Sequence, residues 1–134
     1  IITASASQIK WNVDDGVLDF LPIMQSDIML SYGEKTLIID AKYYKNTTQS
    51  YYNTNTIHSG NLYQIFTYVK NLDKDQTGNV SGMLLYAKTD EAVTPDNEFI
   101  MGGNKISVKT LDLNCEFDII ENQLNDILSS AFRL

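Results

Sequence analysis

The chain has one cysteine, Cys115, and one histidine, His58. A single cysteine excludes an internal disulfide and fits a reducing, cytoplasmic setting. There is no Cys/His spacing for zinc. With one histidine to pair with, Cys115 reads as structural rather than nucleophilic, and His58 as a capping or surface residue rather than a base. No apolar run is long enough to span a bilayer, so no membrane role is expected. No basic-then-apolar signal peptide is present. Excess positive charge is missing too. The net charge is −7, which counts against a broad nucleic-acid-binding surface, because phosphate contacts need Lys and Arg.

The charge is unevenly distributed. Residues 41–72 contain no Asp or Glu but hold Lys42, Lys45 and Lys70. A basic path can therefore lie beside an acidic body, with most DNA affinity supplied by other segments or a partner. The chain is 134 residues long, with 43% hydrophobic and 20% charged residues. It reads as a single globular domain with an ordinary core. It starts at Ile1 inside β-like sequence, and is expected to be a C-terminal fragment of a longer protein.

Residues 5–13 alternate weakly and read as a first strand. Asp14, Asp15 and Asp19 read as turn and surface acids beside a short apolar run at 17–21. Two strands follow, near 25–32 and 35–43, joined across Gly33 and Glu34 as a type II′ hairpin. Residues 46–55 are rich in Asn, Thr, Ser and Tyr and read as a polar loop. Ser59 or Asn61 can cap a helix running to about 71, with Leu62, Ile65, Phe66, Val69 and Leu72 as its apolar stripe. Gln64 and Tyr68, four apart, share a face read as lying away from that stripe. Residues 81–87 read as a buried strand, 90–96 as a loop, 98–101 and 105–112 as a second hairpin, and 119–132 as a closing helix. The order predicts an α/β or α+β mixed sheet flanked by helices.

Hairpin counting from Tyr32 opposite Lys35 places Asp27 across from Asp40. Cross-strand carboxylates repel, and a divalent cation between them removes the penalty. Alternation sends Lys42 to the face of Asp40. Asp27, Asp40 and the Ala41 carbonyl can thus hold Mg²⁺, with Mn²⁺ as a substitute. Lys42 would orient or help deprotonate an attacking water, or neutralise charge on the transition state. This equipment suits phosphodiester hydrolysis. The alternative reading is an exposed edge hairpin with both acids at its solvated end. Tyr43, Tyr44, Tyr51 and Tyr52 can stack on bases or simply pack over the polar loop.

Ser26-Asp27, twelve residues, then Asp40-Ala41-Lys42 resembles the PD-(D/E)xK nuclease motif, with Ser26 where its Pro usually stands. Gln64 and Tyr68 resemble the QxxxY element of several such families. The blocks Leu-Pro-Ile-Met-Gln-Ser-Asp-Ile-Met-Leu, Leu-Ile-Ile-Asp-Ala-Lys-Tyr-Tyr-Lys, Asn-Leu-Tyr-Gln-Ile-Phe-Thr-Tyr-Val and Ser-Gly-Met-Leu-Leu-Tyr-Ala together resemble the C-terminal nuclease domain of the McrC family. That family supplies the cleavage subunit of 5-methylcytosine-dependent restriction. The resemblance implies a restriction-endonuclease-like core and a Mg²⁺-dependent endonuclease. Its catalytic residues would be Asp27, Asp40, Lys42 and Gln64. It also implies DNA as a partner, with Tyr43, Tyr44, Lys45 and Tyr68 as contact candidates. A McrB-like AAA+ GTPase would be reached through an N-terminal region this chain is expected to lack. Two alternatives stay open: another PD-(D/E)xK defence or repair nuclease, and an inactive scaffold domain of the same fold.

Overall fold

Gly33 adopts a φ of +61° while Glu34 does not enter positive φ, the pattern of a type II′ hairpin loop. In this computed structural model the turn pairs Tyr32 with Lys35 and carries the register back to Ile28 and Ile39, as the sequence predicts. The structure describes residues 1–43, 48–51, 54–88 and 95–134. The chain runs β1 (Thr3–Ala4), β2 (Gln8–Ile9), β3 (Met24–Gln25), β4 (Ile28–Tyr32) and β5 (Lys35–Lys42). Next come β6 (Thr48–Tyr51), β7 (Thr54–Ile57) and helix α1 (Ser59–Leu72). It closes with β8 (Val80–Ala87), β9 (Asn97–Met101), β10 (Asn104–Leu111) and helix α2 (Phe117–Phe132).

Six strands form one mixed sheet in the order β1-β4-β5-β8-β10-β9. The central pairs β5·β8 and β8·β10 are parallel, and the outer pairs are antiparallel. Helix α1 makes the crossover between β5 and β8, which parallel neighbours require. Strand alternation divides the core in two. Ile38, Leu84, Ile106 and Val108 pack with Ile65, Tyr68 and Val69 of α1 on one face. Leu37, Ile39 and Met83 pack with Phe132, Ile127 and Leu128 of α2 on the other. The molecule is therefore a sheet between two helices, the mixed α/β architecture expected of a restriction-endonuclease-like core. Ile65 and Val69 are both 0% exposed, and burying each such side chain contributes about 1.5–3 kcal/mol.

Several elements differ from the sequence reading. The strand expected at 25–32 is broken: β3 pairs with β2 in a separate two-stranded ribbon. Ser26 at the break is buried and its amide donates to the Ser7 carbonyl. The apolar run at 17–21 is an exposed loop, with Phe20 99% accessible. The segment read as a polar loop contains β6 and the start of β7, which pair antiparallel. Helix α1 is capped at His58 rather than by Ser59 or Asn61; the His58 carbonyl accepts from the amides of Asn61 and Leu62. Most of the loop expected at 90–96 lies outside the described residues.

Gly82 allows α1 to lie close to the sheet. A Cβ there would sit 2.7 Å from Ile65 Cγ1 and 2.7 Å from Val69 Cγ2. Both neighbours are β-branched, stiff at χ1 and fully buried, so neither yields easily. Gly82→Ala is expected to destabilise the fold by about 1–3 kcal/mol. An unchanged melting temperature would show that α1 shifts freely on the sheet.

The far end of α1 is tied down by Asp73, 6% exposed. Its carboxylate accepts from Thr77 N at 3.0 Å, Thr77 Oγ1 at 2.9 Å, Gly78 N at 2.9 Å and Asn104 Nδ2 at 2.9 Å. Burial pushes this carboxyl up, but hydrogen bonds from Asn104, Gly78 and Thr77 outweigh it and hold Asp73 below the ordinary carboxylate value. The unfolded-state value is about 3.9. The linked stabilisation is therefore full above that pH and is lost as the pH falls through the folded-state value. Asp73→Asn is expected to lower stability at pH 7 and to flatten the acid side of the stability profile. Denaturant midpoints measured between neutral and strongly acid pH test this, and an unaltered acid limb would contradict it.

Candidate active site

The β4–β5 ladder ends at Ile28 opposite Ile39. Asp27 stands one residue beyond, where the register points at Asp40. Its Oδ2 accepts a 2.8 Å hydrogen bond from the Ala41 amide. In a β-strand the amide and carbonyl of one residue leave on the same edge. The Ala41 carbonyl is thus directed to the Asp27 side of β5. Asp40 and Lys42 project from the α1 face, as alternation requires.

Asp40 is 5% exposed. Its Oδ2 lies 3.0 Å from Lys42 Nζ. Beyond that ammonium, Oδ2 is a buried oxygen without a hydrogen-bond partner among the described residues. Burial pushes the Asp40 carboxyl above its ordinary value. The Lys42 ammonium opposes this, and the Asp27 carboxylate beside it adds to the rise. Removing a carboxylate oxygen from water without a hydrogen bond is costly.

Lys42 Nζ also donates to Gln64 Oε1 at 2.9 Å, and Gln64 Nε2 donates to the Tyr68 hydroxyl at 2.9 Å. An ordered row thus runs from Asp40 through Lys42 and Gln64 to Tyr68. The expectation that Gln64 and Tyr68 share a face away from the apolar stripe is corrected for Tyr68. Its ring is 8% exposed and belongs to the core cluster, so it reaches the site only through its hydroxyl. Tyr68 is three residues after Ile65 and four before Leu72, so it borders the apolar stripe and shares its core cluster.

Tyr43 is 77% exposed at the end of β5. Tyr44 and Lys45 lie outside the described residues. So do Tyr52 and the side chain of Tyr51. Cys115 is structural in its contacts: its Sγ donates to the Asp112 carbonyl at 3.2 Å, and Gln123 Nε2 lies 3.5 Å from Sγ. Asp14, Asp15 and Asp19 are exposed. Sequence reasoning missed Asn61. Its side chain is buried and donates to the Tyr86 hydroxyl at 3.0 Å. An Asn near a helix start reads as a cap, and only the register of β8 reveals its partner.

The donors fit a hard divalent cation. Two carboxylates and a carbonyl direction converge, and a buried carboxylate oxygen has no hydrogen-bond partner among the described residues beyond the Lys42 ammonium. Hard cations take oxygen ligands and complete their shell with water. Among the described residues no group of three or more His, Cys, Asp or Glu side chains is assembled. Among the described residues, no helix is long and apolar enough to cross a membrane.

Known proteins are similar to this chain in sequence. The family model described as McrBC 5-methylcytosine restriction system component matches residues 16–87, from the loop before β3 through the end of β8. The chain is also similar to the Type IV methyl-directed restriction enzyme EcoKMcrBC of Escherichia coli (strain K12). The two are 36% identical over 130 residues, covering 95% of this chain and 37% of that protein. The matched region contains both carboxylates, the lysine and the glutamine described above, and the chain belongs to the McrC family of McrBC restriction-system components.

Proposed function

We propose that this chain is a Mg²⁺-dependent endonuclease domain that hydrolyses phosphodiester bonds of DNA in a 5-methylcytosine-directed restriction system. The observation that carries the reading is the buried Asp40 carboxylate beside Asp27, its Oδ2 partnered among the described residues only by the Lys42 ammonium. Asp27, Asp40 and the Ala41 carbonyl would hold the Mg²⁺, and Mn²⁺ has the hard character to replace it. When bound, the cation supplies Lewis-acid polarisation of the scissile phosphate and acidifies water.

The chain's own residues supply the rest. Lys42 is held at 3.0 Å from Asp40 and 2.9 Å from Gln64, so its ammonium is fixed before substrate arrives. A preorganised cation aimed at the reacting phosphate stabilises the charge that develops there. In the same place it can orient the attacking water. Gln64 fixes that ammonium and is itself fixed by Tyr68. Tyr43, Tyr44 and Lys45 follow directly on Lys42 in sequence and are the candidates for gripping the DNA strand.

The chain spans 37% of the curated relative it matches. With a net charge of −7, the domain alone should hold duplex DNA no better than the weak end of non-specific binding, about 10⁻⁴ M at physiological salt. An AAA+ GTPase of the McrB type, contacting sequence outside this chain, would deliver methylated DNA to the site.

Gln64→Ala tests the site directly. Cleavage per folded molecule by the full assembly is expected to fall by about 10²-fold, the scale of losing one positioning contact. The melting temperature should move little. A large loss of stability with normal activity per folded molecule would make Gln64 a packing residue and remove it from the mechanism.

A further inference from the structure

Helix α1 presents three polar side chains on one line toward the sheet: Asn61, Gln64 and Tyr68, spaced i, i+3 and i+7. The last two act on Lys42, as described. Asn61 reaches a different strand. Tyr86 is 0% exposed, and its hydroxyl accepts the 3.0 Å hydrogen bond from Asn61 Nδ2. In the parallel ladder Tyr86 is the register partner of Lys42. Both side chains project toward α1, and neighbouring strands lie about 4.8 Å apart. The Tyr86 ring therefore forms the wall beside the lysine stem.

We propose that Asn61 and Tyr86 are positioning residues that lock the first turn of α1 onto β8 and so hold Gln64 against Lys42. This rests on the nuclease reading above. Asn61 is the one buried residue in the first turn of α1; the other buried residues, Ile65, Tyr68 and Val69, lie farther along. Ser59 and Gly60 are exposed, and Tyr63 is 71% accessible. Leu62 of the same turn packs against the core, and the Asn61–Tyr86 hydrogen bond adds a directional contact to that packing. A buried amide and hydroxyl contribute little net stability compared with two apolar groups of the same shape. What they add is direction. The bond forms only when Asn61 is in register with Tyr86, and that register sets Gln64 one turn away. A helix end free to shift by 1 Å would lose the Lys42–Gln64 contact, and small misplacements of this kind cost catalysis heavily.

The test is a double-mutant cycle of Tyr86→Phe and Asn61→Ala in the full protein with its partner. Each single variant is expected to lose about tenfold in kcat, with the KM for DNA and the affinity for Mn²⁺ within twofold of wild type. The double variant should be no slower than either single. A hundredfold, additive loss, or an unchanged rate for both single variants, would overturn the proposal. If Tyr86→Phe fails to fold, the Asn61→Ala rate decides on the same criteria. A second readout is independent of activity. The ammonium signal of Lys42 in ¹⁵N-lysine-labelled protein is expected to shift and exchange faster with water in both variants. A purely packing role would lower the melting temperature and leave that signal unmoved, and an unmoved signal would overturn the proposal. If wild type binds no metal and cuts no DNA, the nuclease reading fails. The Lys42 signal then still decides whether the clamp exists.

Discussion

Asp40→Asn is expected to melt higher than wild type at pH 7 when no metal is present, and to bind no divalent ion and cut no DNA. Burial raises the Asp40 carboxyl, Lys42 opposes this, and Asp27 adds to the rise. The folded state therefore holds its proton more tightly than the unfolded chain, whose value is about 3.9. Stability falls as the pH rises from there to the elevated folded-state value, and the deficit remains at pH 7. Asparagine keeps the shape and removes the charge, so the deficit disappears. Metal reverses the ranking. At a concentration 100 times its Kd a ligand stabilises the state it binds by about 2.7 kcal/mol. Wild type should gain that and the variant should gain nothing. Thermal melts with and without Mg²⁺ at several pH values check both signs. A variant less stable than wild type without metal would mean that the ion pair with Lys42 outweighs burial.

Lys42→Ala is expected to abolish cleavage, by at least about 10²–10³-fold, while the variant still binds Mn²⁺ and still assembles with its partner. Its effect on stability should be smaller than the about 3–5 kcal/mol that breaking a buried ion pair can cost. Asp40 can escape by taking up a proton, since the group that opposed its rise has gone. The variant's metal binding should therefore need higher pH than that of wild type. Cleavage and calorimetry on the same preparation separate the two effects. Undiminished cutting by Lys42→Ala would end the nuclease assignment.

Much of this site was legible because it depends on local rules. A Gly-Glu turn fixes the hairpin register, register fixes which residues face each other, and alternation sends Asp40 and Lys42 to one face. The helix stripe of Ile65 and Val69 follows from a 3.6 period alone. What escaped depends on distant pairing. Asn61 meets Tyr86 across 25 residues, and only the parallel register of β5 and β8 brings Tyr86 beside Lys42. Tyr68 was misread because its spacing to Gln64 was weighed and its equally close spacing to Ile65 and Leu72, its cluster neighbours, was not. The break at Ser26 was hidden because it depends on a partner far away in sequence: the Ser7 carbonyl accepts from the Ser26 amide. The polar composition of 46–55 gave no sign of the β6–β7 ladder, whose register is a main-chain pairing.

The central claim is that Asp27 and Asp40 jointly hold one divalent cation. Anomalous diffraction from crystals soaked in Mn²⁺ tests it most directly. Expected is a single peak per chain, with carboxylate oxygens of Asp27 and Asp40 and the Ala41 carbonyl about 2.1–2.2 Å away, absent from Asp40→Asn crystals treated identically. A soaked wild-type crystal with no peak between the two carboxylates, or a peak that survives in Asp40→Asn, would contradict it.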